Sequence, residues 1–304
     1  MTTILSLLLI SLSVALPTFP IVEHSAYISD HDIRAERVVP QSEVAHPPVK
    51  EDVKSLGPRL SAQSAIVVDS ESSAVLFEKW AHKVHPMASI VKIMTALVFL
   101  EQNPDLTLRI EMTEEDNREG GDDFIKPGES ATLLSFLRAS LLGSANNATI
   151  VLSRSTELSQ VEFVSAMNTR ANELGMRDTI FIEPTGLDPK NTSTARDIVR
   201  LLSESGKNER IKEILGTNRS TIRVYPRGLI RQIVTTNHLM GTIIPVEYGK
   251  TGYLDESLYN LGTVVSTSQG NELFVVVLGS QTNEERIQDA KNLMVWAERT
   301  YKWE

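Results

Sequence analysis

The sequence predicts an α+β fold: a mainly antiparallel sheet of N- and C-terminal strands, flanked by helices, with a helical subdomain inserted between them. Three observations lead there. Compact β-branched runs stand at both ends of the globular stretch, over 65–77 and again over 246–279. Between them, apolar residues recur at helical spacing. Strands segregated from helices along a chain mark an α+β arrangement, and no internal repeat suggests anything else.

Taken in order, Ile4 to Leu16 contains only Ile, Leu, Val, Ala and Ser. It reads as the apolar region of an export signal over residues 1–22, since a bilayer span needs about 20 apolar residues. No Lys or Arg precedes it and no small-x-small cleavage site follows Leu16, so an uncleaved anchor reaching through Pro17 and Pro20 to Val22 is the alternative. Residues 23–60 are polar, carry Pro40, Pro47, Pro48 and Pro58, and show no sustained period. They read as a linker, and the globular domain as residues 61–304.

Ala65 to Asp69 and Ala74 to Phe77, joined by a polar Ser-Glu-Ser-Ser turn, predict a hairpin whose first strand is buried on both faces. A helix follows from Ser89 to about Glu101. Glu111 to Asp123 is acidic around Gly120-Gly121 but lacks calcium-loop ligand spacing, so a solvated loop is expected. Thr132 to Leu142 is an amphipathic helix, interrupted by Gly143-Ser144-Ala145-Asn146 and resumed from Ala148 to Leu152. Ser159 and Glu162 form a capping box for a helix closing at Gly175. Another helix starts after Ser193-Thr194. Two β-branched segments around Pro226-Arg227-Gly228 predict a small hairpin. Val246 to Tyr253, Leu261 to Ser266 and Leu273 to Gly279 are the C-terminal strands, and Asn283 to Tyr301 closes the domain as a helix.

A chain of 304 residues, 41% hydrophobic, can bury a sizeable core. The net charge of −9 and the lack of any basic cluster argue against a nucleic-acid partner. With no cysteine, the chain has no disulfides, thiol nucleophile or cysteine-ligated metal. No metal site and no cofactor are expected.

Three short motifs carry the chemistry. Ser89 and Lys92 lie three residues apart at the head of an apolar helix, hence on one face. A helix N-terminus offers free N–H groups to developing negative charge. Serine is a weak nucleophile that needs a base, and a lysine serves once burial or a neighbouring cation makes its amine neutral. A serine at that place is often only a cap. Here, however, no other lysine in the chain has a serine three positions before it. Ser144-Ala145-Asn146 is the single Ser-x-Asn, and Lys250-Thr251-Gly252 the single Lys-Thr-Gly. A glycine within a strand marks close approach by a ligand or another backbone.

In this order the motifs resemble the active-site-serine penicillin-binding proteins and class A β-lactamases. Met167-Asn168, Leu174-Gly175-Met176, Glu183-Pro184-Thr185-Gly186-Leu187-Asp188 and Ser193-Thr194-Ala195-Arg196-Asp197 are similar to the low-molecular-mass penicillin-binding proteins, the D-Ala-D-Ala carboxypeptidases and endopeptidases. With Thr236-Asn237-His238-Leu239, the endopeptidase branch is most similar. The resemblance covers nearly everything from Ser61 to Tyr301 and implies a β-lactamase/transpeptidase-like fold.

That resemblance also implies roles. Ser89 attacks the penultimate D-Ala carbonyl and Lys92 takes its proton. Ser144 passes a proton to the leaving amine, and Asn146 holds Lys92 and the substrate amide. Lys250 supplies positive charge, Thr251 offers a hydroxyl to the substrate carboxylate, and Gly252 permits close approach. The N–H groups of Ser89 and Tyr253 form the oxyanion hole, and Arg286 binds the terminal carboxylate. It implies peptidoglycan stem peptides as substrate, β-lactams as covalent inhibitors, and an exported, periplasmic or cell-envelope location, with the membrane reached only through the N-terminal segment.

Some residues depart from the family pattern. Ala145 stands where glycine is frequent, Leu254 where threonine is usual, and Ser257-Leu258 replaces a frequent Ala-Gly; these are expected beside the substrate groove. The carboxypeptidase branch often adds a β-rich domain and an amphipathic tail after the closing helix, which favours the endopeptidase. Glu183 lacks the Glu-x-x-Leu-Asn spacing of a class A deacylating glutamate and is expected to shape a loop. A non-catalytic peptidoglycan-binding module is the remaining rival. His82 and His85 read as loop residues, and His238 as structural.

Overall fold

The computed structural model describes residues 46–303. The N-terminal apolar run, and the polar stretch as far as residue 45, lie outside the described residues.

Val49–Lys50 (β1) comes first, then the hairpin Ser64–Asp69 (β2) and Val75–Lys79 (β3). His85–Pro86 (β4) leads through a 3₁₀ turn over Ala88–Ile90 into Val91–Glu101 (α1). The inserted part holds Arg109–Glu111 (β5), Ser130–Thr132 (β6), Leu133–Leu141 (α2), Asn146–Arg154 (α3) and Gln160–Glu173 (α4). It continues with Thr192–Ser193 (β7), Ala195–Gly206 (α5), Glu209–Leu215 (α6), and the hairpin Arg219–Val224 (β8) and Leu229–Val234 (β9). Val246–Leu254 (β10), Leu258–Ser266 (β11), Glu272–Ser280 (β12), Asn283–Thr300 (α7) and Tyr301–Lys302 (β13) complete the chain.

The main sheet runs β10-β11-β12-β2-β3, antiparallel throughout, so strands from both ends of the chain share it as the sequence predicts. Alternation along β2 sends Ala65 and Val67 to one face and Ile66 and Val68 to the other. The first pair packs with Ala290, Leu293 and Ala297 of α7, the second with α1 and α5. Both faces are therefore covered. Helix α1 is buried from Val91 through Phe99 and is apolar on every face except at Lys92 and Thr95. Its position places whatever follows Ser89 in a dry interior.

Where α7 crosses β2, Asp289 accepts hydrogen bonds from the N–H groups of Ser61 (3.1 Å) and Ala62 (2.8 Å) and from the hydroxyls of Ser61 (2.8 Å) and Ser280 (3.1 Å). Asp289→Ala would leave two main-chain donors unpaired, a cost of about 1–3 kcal/mol each. The expected result is a lower urea midpoint with an unchanged denaturant slope, and an unchanged midpoint would remove this lock from the account.

Several elements differ from expectation. The stretch read as linker up to residue 60 joins the folded body in its second half. Val49 and Lys50 pair with Lys302 and Tyr301, and Trp296 Nε1 donates to Ser55 Oγ at 2.6 Å. Two-residue strands such as β1, β4 and β7 are too short to show a period. Helix α6, with Asn208 capping Arg210 N and Ile211 N, buries Ile211, Ile214 and Leu215, too short an apolar face to mark a helix in the sequence.

Candidate active site

Ser89, the nucleophile expected from the sequence, sits in a strained entry to α1. Ala88 has φ 49°, a left-handed conformation that turns the chain from β4 into the helix and presents Ser89 at its head. Lys92, less than a turn further on, is fully buried. Its Nζ donates to Ser89 Oγ at 2.9 Å, to Asn146 Oδ1 at 2.7 Å and to the Thr185 carbonyl at 2.5 Å. Burial lowers the amine to about 7, while the charge of Glu183 opposes that shift. In the neutral form Asn146 and Thr185 still accept both N–H bonds, and the lone pair faces the Ser89 hydroxyl.

The second motif lies in the break between α2 and α3. Ser144 has φ 62° and projects from the turn, while Ala145 is buried beneath it. Asn146 opens α3, and its Nδ2 donates to the carbonyls of Glu119 (3.0 Å) and Gly120 (2.7 Å). Those two acceptors fix the amide so that Oδ1 faces Lys92.

The third motif lies on β10, an edge strand. Lys250 is buried, and its Nζ donates to Ser144 Oγ at 2.9 Å and to the Thr251 carbonyl at 3.1 Å. Burial, then the neighbouring charges of Lys92 and Arg286, push its amine well below the ordinary lysine value. A carboxylate beside the amine would act the other way and favour its charged form. Thr251 Oγ1 lies 2.6 Å from Thr236 Oγ1. A Cβ on Gly252 would stand 2.7 Å from Met87 O and 3.1 Å from Ser89 N, so only glycine lets this strand touch the turn that carries Ser89. Tyr253 is half-exposed and stacks on Tyr259, ring centroids 4.4 Å apart.

Arg286, on α7, is buried beside the same strand. Its NH1 donates to the carbonyls of Gly252 (3.3 Å) and Asn260 (3.0 Å), its NH2 to Asn283 Oδ1, and Nε has no partner among the described residues. Burial lowers it to about 10, so it stays charged at neutral pH. Two of its five N–H groups thus hold β10 and β11.

Ser89, Ser144, Asn146, Thr251, Tyr253 and Arg286 line one cleft of about 960 Å³, with Lys92 and Lys250 buried beneath it. With Gly252, which also lines the cleft, all nine site residues expected from the motifs and the resemblance lie on it or beneath it. Other expectations are corrected. The acidic stretch Glu111–Asp123 is no plain solvated loop: Asp116 is buried against Arg154 (2.5 and 2.6 Å), and Glu119 to Asp122 form a wall of the cleft. Of the departures expected at the groove, Leu254 lines it, whereas Ser257 is fully buried and bonded within its own turn. His85 is no loop residue; it sits buried on β4 with Nε2 2.8 Å from the Ser257 carbonyl, and burial lowers its imidazole below the ordinary value. His238 is exposed on the cleft instead of packed into structure. Glu183 does shape a loop: its oxygens accept from the N–H groups of Thr185 (2.6 Å) and Gly186 (2.6 Å), the Thr185 hydroxyl (2.6 Å) and Asn191 Nδ2 (2.7 Å).

Residues 50–282 match the Peptidase_S11 family, D-alanyl-D-alanine carboxypeptidase. The chain belongs to that family. It is accordingly a serine-type DD-peptidase, a hydrolase. Among its relatives, the D-alanyl-D-alanine endopeptidase of Pseudomonas aeruginosa is 31% identical over 84% of this chain and 82% of its own length. A D-alanyl-D-alanine carboxypeptidase of Bacillus subtilis is 30% identical over 79% of this chain but only 63% of its own length. Among solved structures, the D-alanyl-D-alanine carboxypeptidase of Mycobacterium tuberculosis superposes with a TM-score of 0.71 at 27% identity, over 79% of this chain and 92% of that one. The S11 fold is thus the α+β architecture predicted from the strand and helix order.

Proposed function

We propose that this S11 peptidase is a D-alanyl-D-alanine endopeptidase of the bacterial cell envelope, cutting peptidoglycan cross-links through an acyl-enzyme at Ser89. The contact that carries the catalytic reading is the 2.9 Å hydrogen bond between Lys92 and Ser89, made to an amine that burial lowers to about 7. A base with that value is half neutral at neutral pH, where general-base catalysis works best. Ser89 Oγ bonds to the carbonyl carbon of the penultimate D-Ala as its proton moves to Lys92 Nζ. The C–N bond then breaks, and the leaving amine takes a proton through Ser144. The N–H groups of Ser89 and Tyr253 stabilise the oxyanion, typically about 3 kcal/mol per donor. Water adds to the ester carbonyl, the ester C–O bond breaks, and Ser89 regains its proton.

The endopeptidase preference rests on the sequence blocks from Glu183 to Asp188 and from Thr236 to Leu239, and on the endopeptidase names of relatives. With β-lactams the same serine forms a slowly released acyl-enzyme, because Glu183 has both oxygens engaged by its loop. Export through the N-terminal segment brings the domain, taken as residues 61–304 with 46–60 folded against it, to its substrate.

Incubation with cross-linked muropeptide dimers and with monomeric pentapeptides, followed by mass analysis, tests the reading. Dimers should be cut to monomers and labelled penicillin should stay bound. Release of free D-Ala from monomers alone would move the protein to the carboxypeptidases, and rapid penicillin turnover to the β-lactamases.

A further inference from the structure

A hydrogen-bonded chain leads outward from the buried guanidinium of Arg286. Asn283 Oδ1 accepts from Arg286 NH2, which leaves Asn283 Nδ2 facing His238 Nδ1 at 3.4 Å. An arginine has no acceptor atoms, so the orientation of the Asn283 amide follows from this partner. Its Nδ2 can only donate, so Nδ1 of His238 must accept and the ring proton lies on Nε2. That Nε2–H has no partner among the described residues, and the ring is exposed on the cleft. In the neutral ring this contact favours the tautomer with its hydrogen on Nε2, which points a donor at the cleft.

On the function proposed above, the carboxylate of the leaving half binds at Thr251 and Arg286, which both line the cleft. Asn283 is one hydrogen bond beyond Arg286, and His238 one beyond Asn283, along the same wall. On that reading a leaving D-Ala needs nothing beyond Thr251 and Arg286, and His238 lines the same cleft beside them. A leaving residue whose side chain carries a carbonyl can reach the Nε2–H. Cross-link cleavage releases an amine of that kind, with a carboxylate beside it and a peptide continuing onward.

We propose that His238, oriented by Asn283, is a specificity-determining residue that binds the leaving half of the substrate by donating Nε2–H to a carbonyl on its side chain. The inference deepens the reading of this site as a DD-peptidase and rests on it. It predicts which leaving groups the enzyme prefers.

The test uses the full-length protein and two synthetic peptides with the same acyl half, one ending in D-Ala and one in D-Gln. Steady-state kcat/KM is measured for wild type, His238→Ala and His238→Gln, alongside labelling by fluorescent penicillin, which reports an intact nucleophile site. A single neutral hydrogen bond is worth about fivefold to tenfold in rate. In His238→Ala, kcat/KM for the D-Gln peptide should fall by about that factor relative to the D-Ala peptide. His238→Gln, which keeps a side-chain N–H donor, should retain most of the ratio. An unchanged ratio, or equal loss on both peptides, would overturn the role of His238. Failure of the wild type to cut cross-linked dimers would count against the endopeptidase reading separately, because the peptide pair does not depend on it.

Discussion

Ser89→Ala is expected to abolish covalent labelling by a fluorescent penicillin, and Lys92→Met to slow it by about a thousandfold, within the usual range for loss of a general base. Methionine matches the volume of the lysine stem and leaves Ser89 its place in the turn. The variant therefore removes the amine without emptying the core around α1. The wild type carries a second signature of the same base. Its amine is lowered to about 7, and only the neutral form accepts the serine proton, so the acylation rate should fall as pH drops through about 7. The sign for stability follows from the same shift. The unfolded lysine holds its proton up to its ordinary value near 10.5, well above the folded one. Between those two values the unfolded state binds the extra proton, and stability rises with pH. Below about 7 the cost of burying Lys92 as a cation is present in full. A labelling rate that ignores pH between 5 and 8, or a Lys92→Met protein that labels normally, would rule out Lys92 as the base.

The motifs were readable because each is local. Ser89 and Lys92 meet through the turn of a helix, Ser144 and Asn146 share one turn, and each pattern occurs once in the chain. Lys250 and Gly252 were readable as a strand against which something must come close, and that neighbour is Met87 with Ser89. The partners that complete the site were hidden because they are main-chain atoms. The carbonyl of Thr185 on Lys92, and those of Glu119 and Gly120 on Asn146, belong to residues whose side chains point to other uses. The double glycine at 120 and 121 was the one trace of a tight approach, since a Cβ on Gly121 would lie 3.1 Å from Ser144 O. The state of Lys250 was hidden for a different reason: it depends on the sum of burial and two remote cations, Lys92 and Arg286, which no single segment encodes. His238 appeared in a block of family likeness, but only the fold shows that it faces the cleft.

Gly186→Ala should cost more activity than any loop substitution of its size. The loop from Glu183 to Asp188 lies against the head of α1: Thr95 Oγ1 donates to Pro184 O at 2.6 Å, and Thr185 O takes a hydrogen from Lys92. Within it Gly186 has φ +87°, and a Cβ there would stand 2.2 Å from Ala88 O and 2.9 Å from Ser89 N. Backbone atoms cannot yield as a flexible side chain can, so the nucleophile's turn or the loop must move. A displacement of about 1 Å at a reacting centre costs about a hundredfold in rate, and penicillin labelling of Gly186→Ala should fall by at least that much. Strain alone is separated by Gly128→Ala. Gly128 has φ +79°, but nothing stands within 4 Å of its added Cβ. That variant should lose about 1 kcal/mol of stability from its left-handed backbone while keeping its labelling rate. If both variants lose the same stability and Gly186→Ala still labels at the wild-type rate, the loop is only a neighbour of Ser89. If labelling collapses only in Gly186→Ala, the loop behind the nucleophile sets its position, and the catalytic unit extends from three motifs to four.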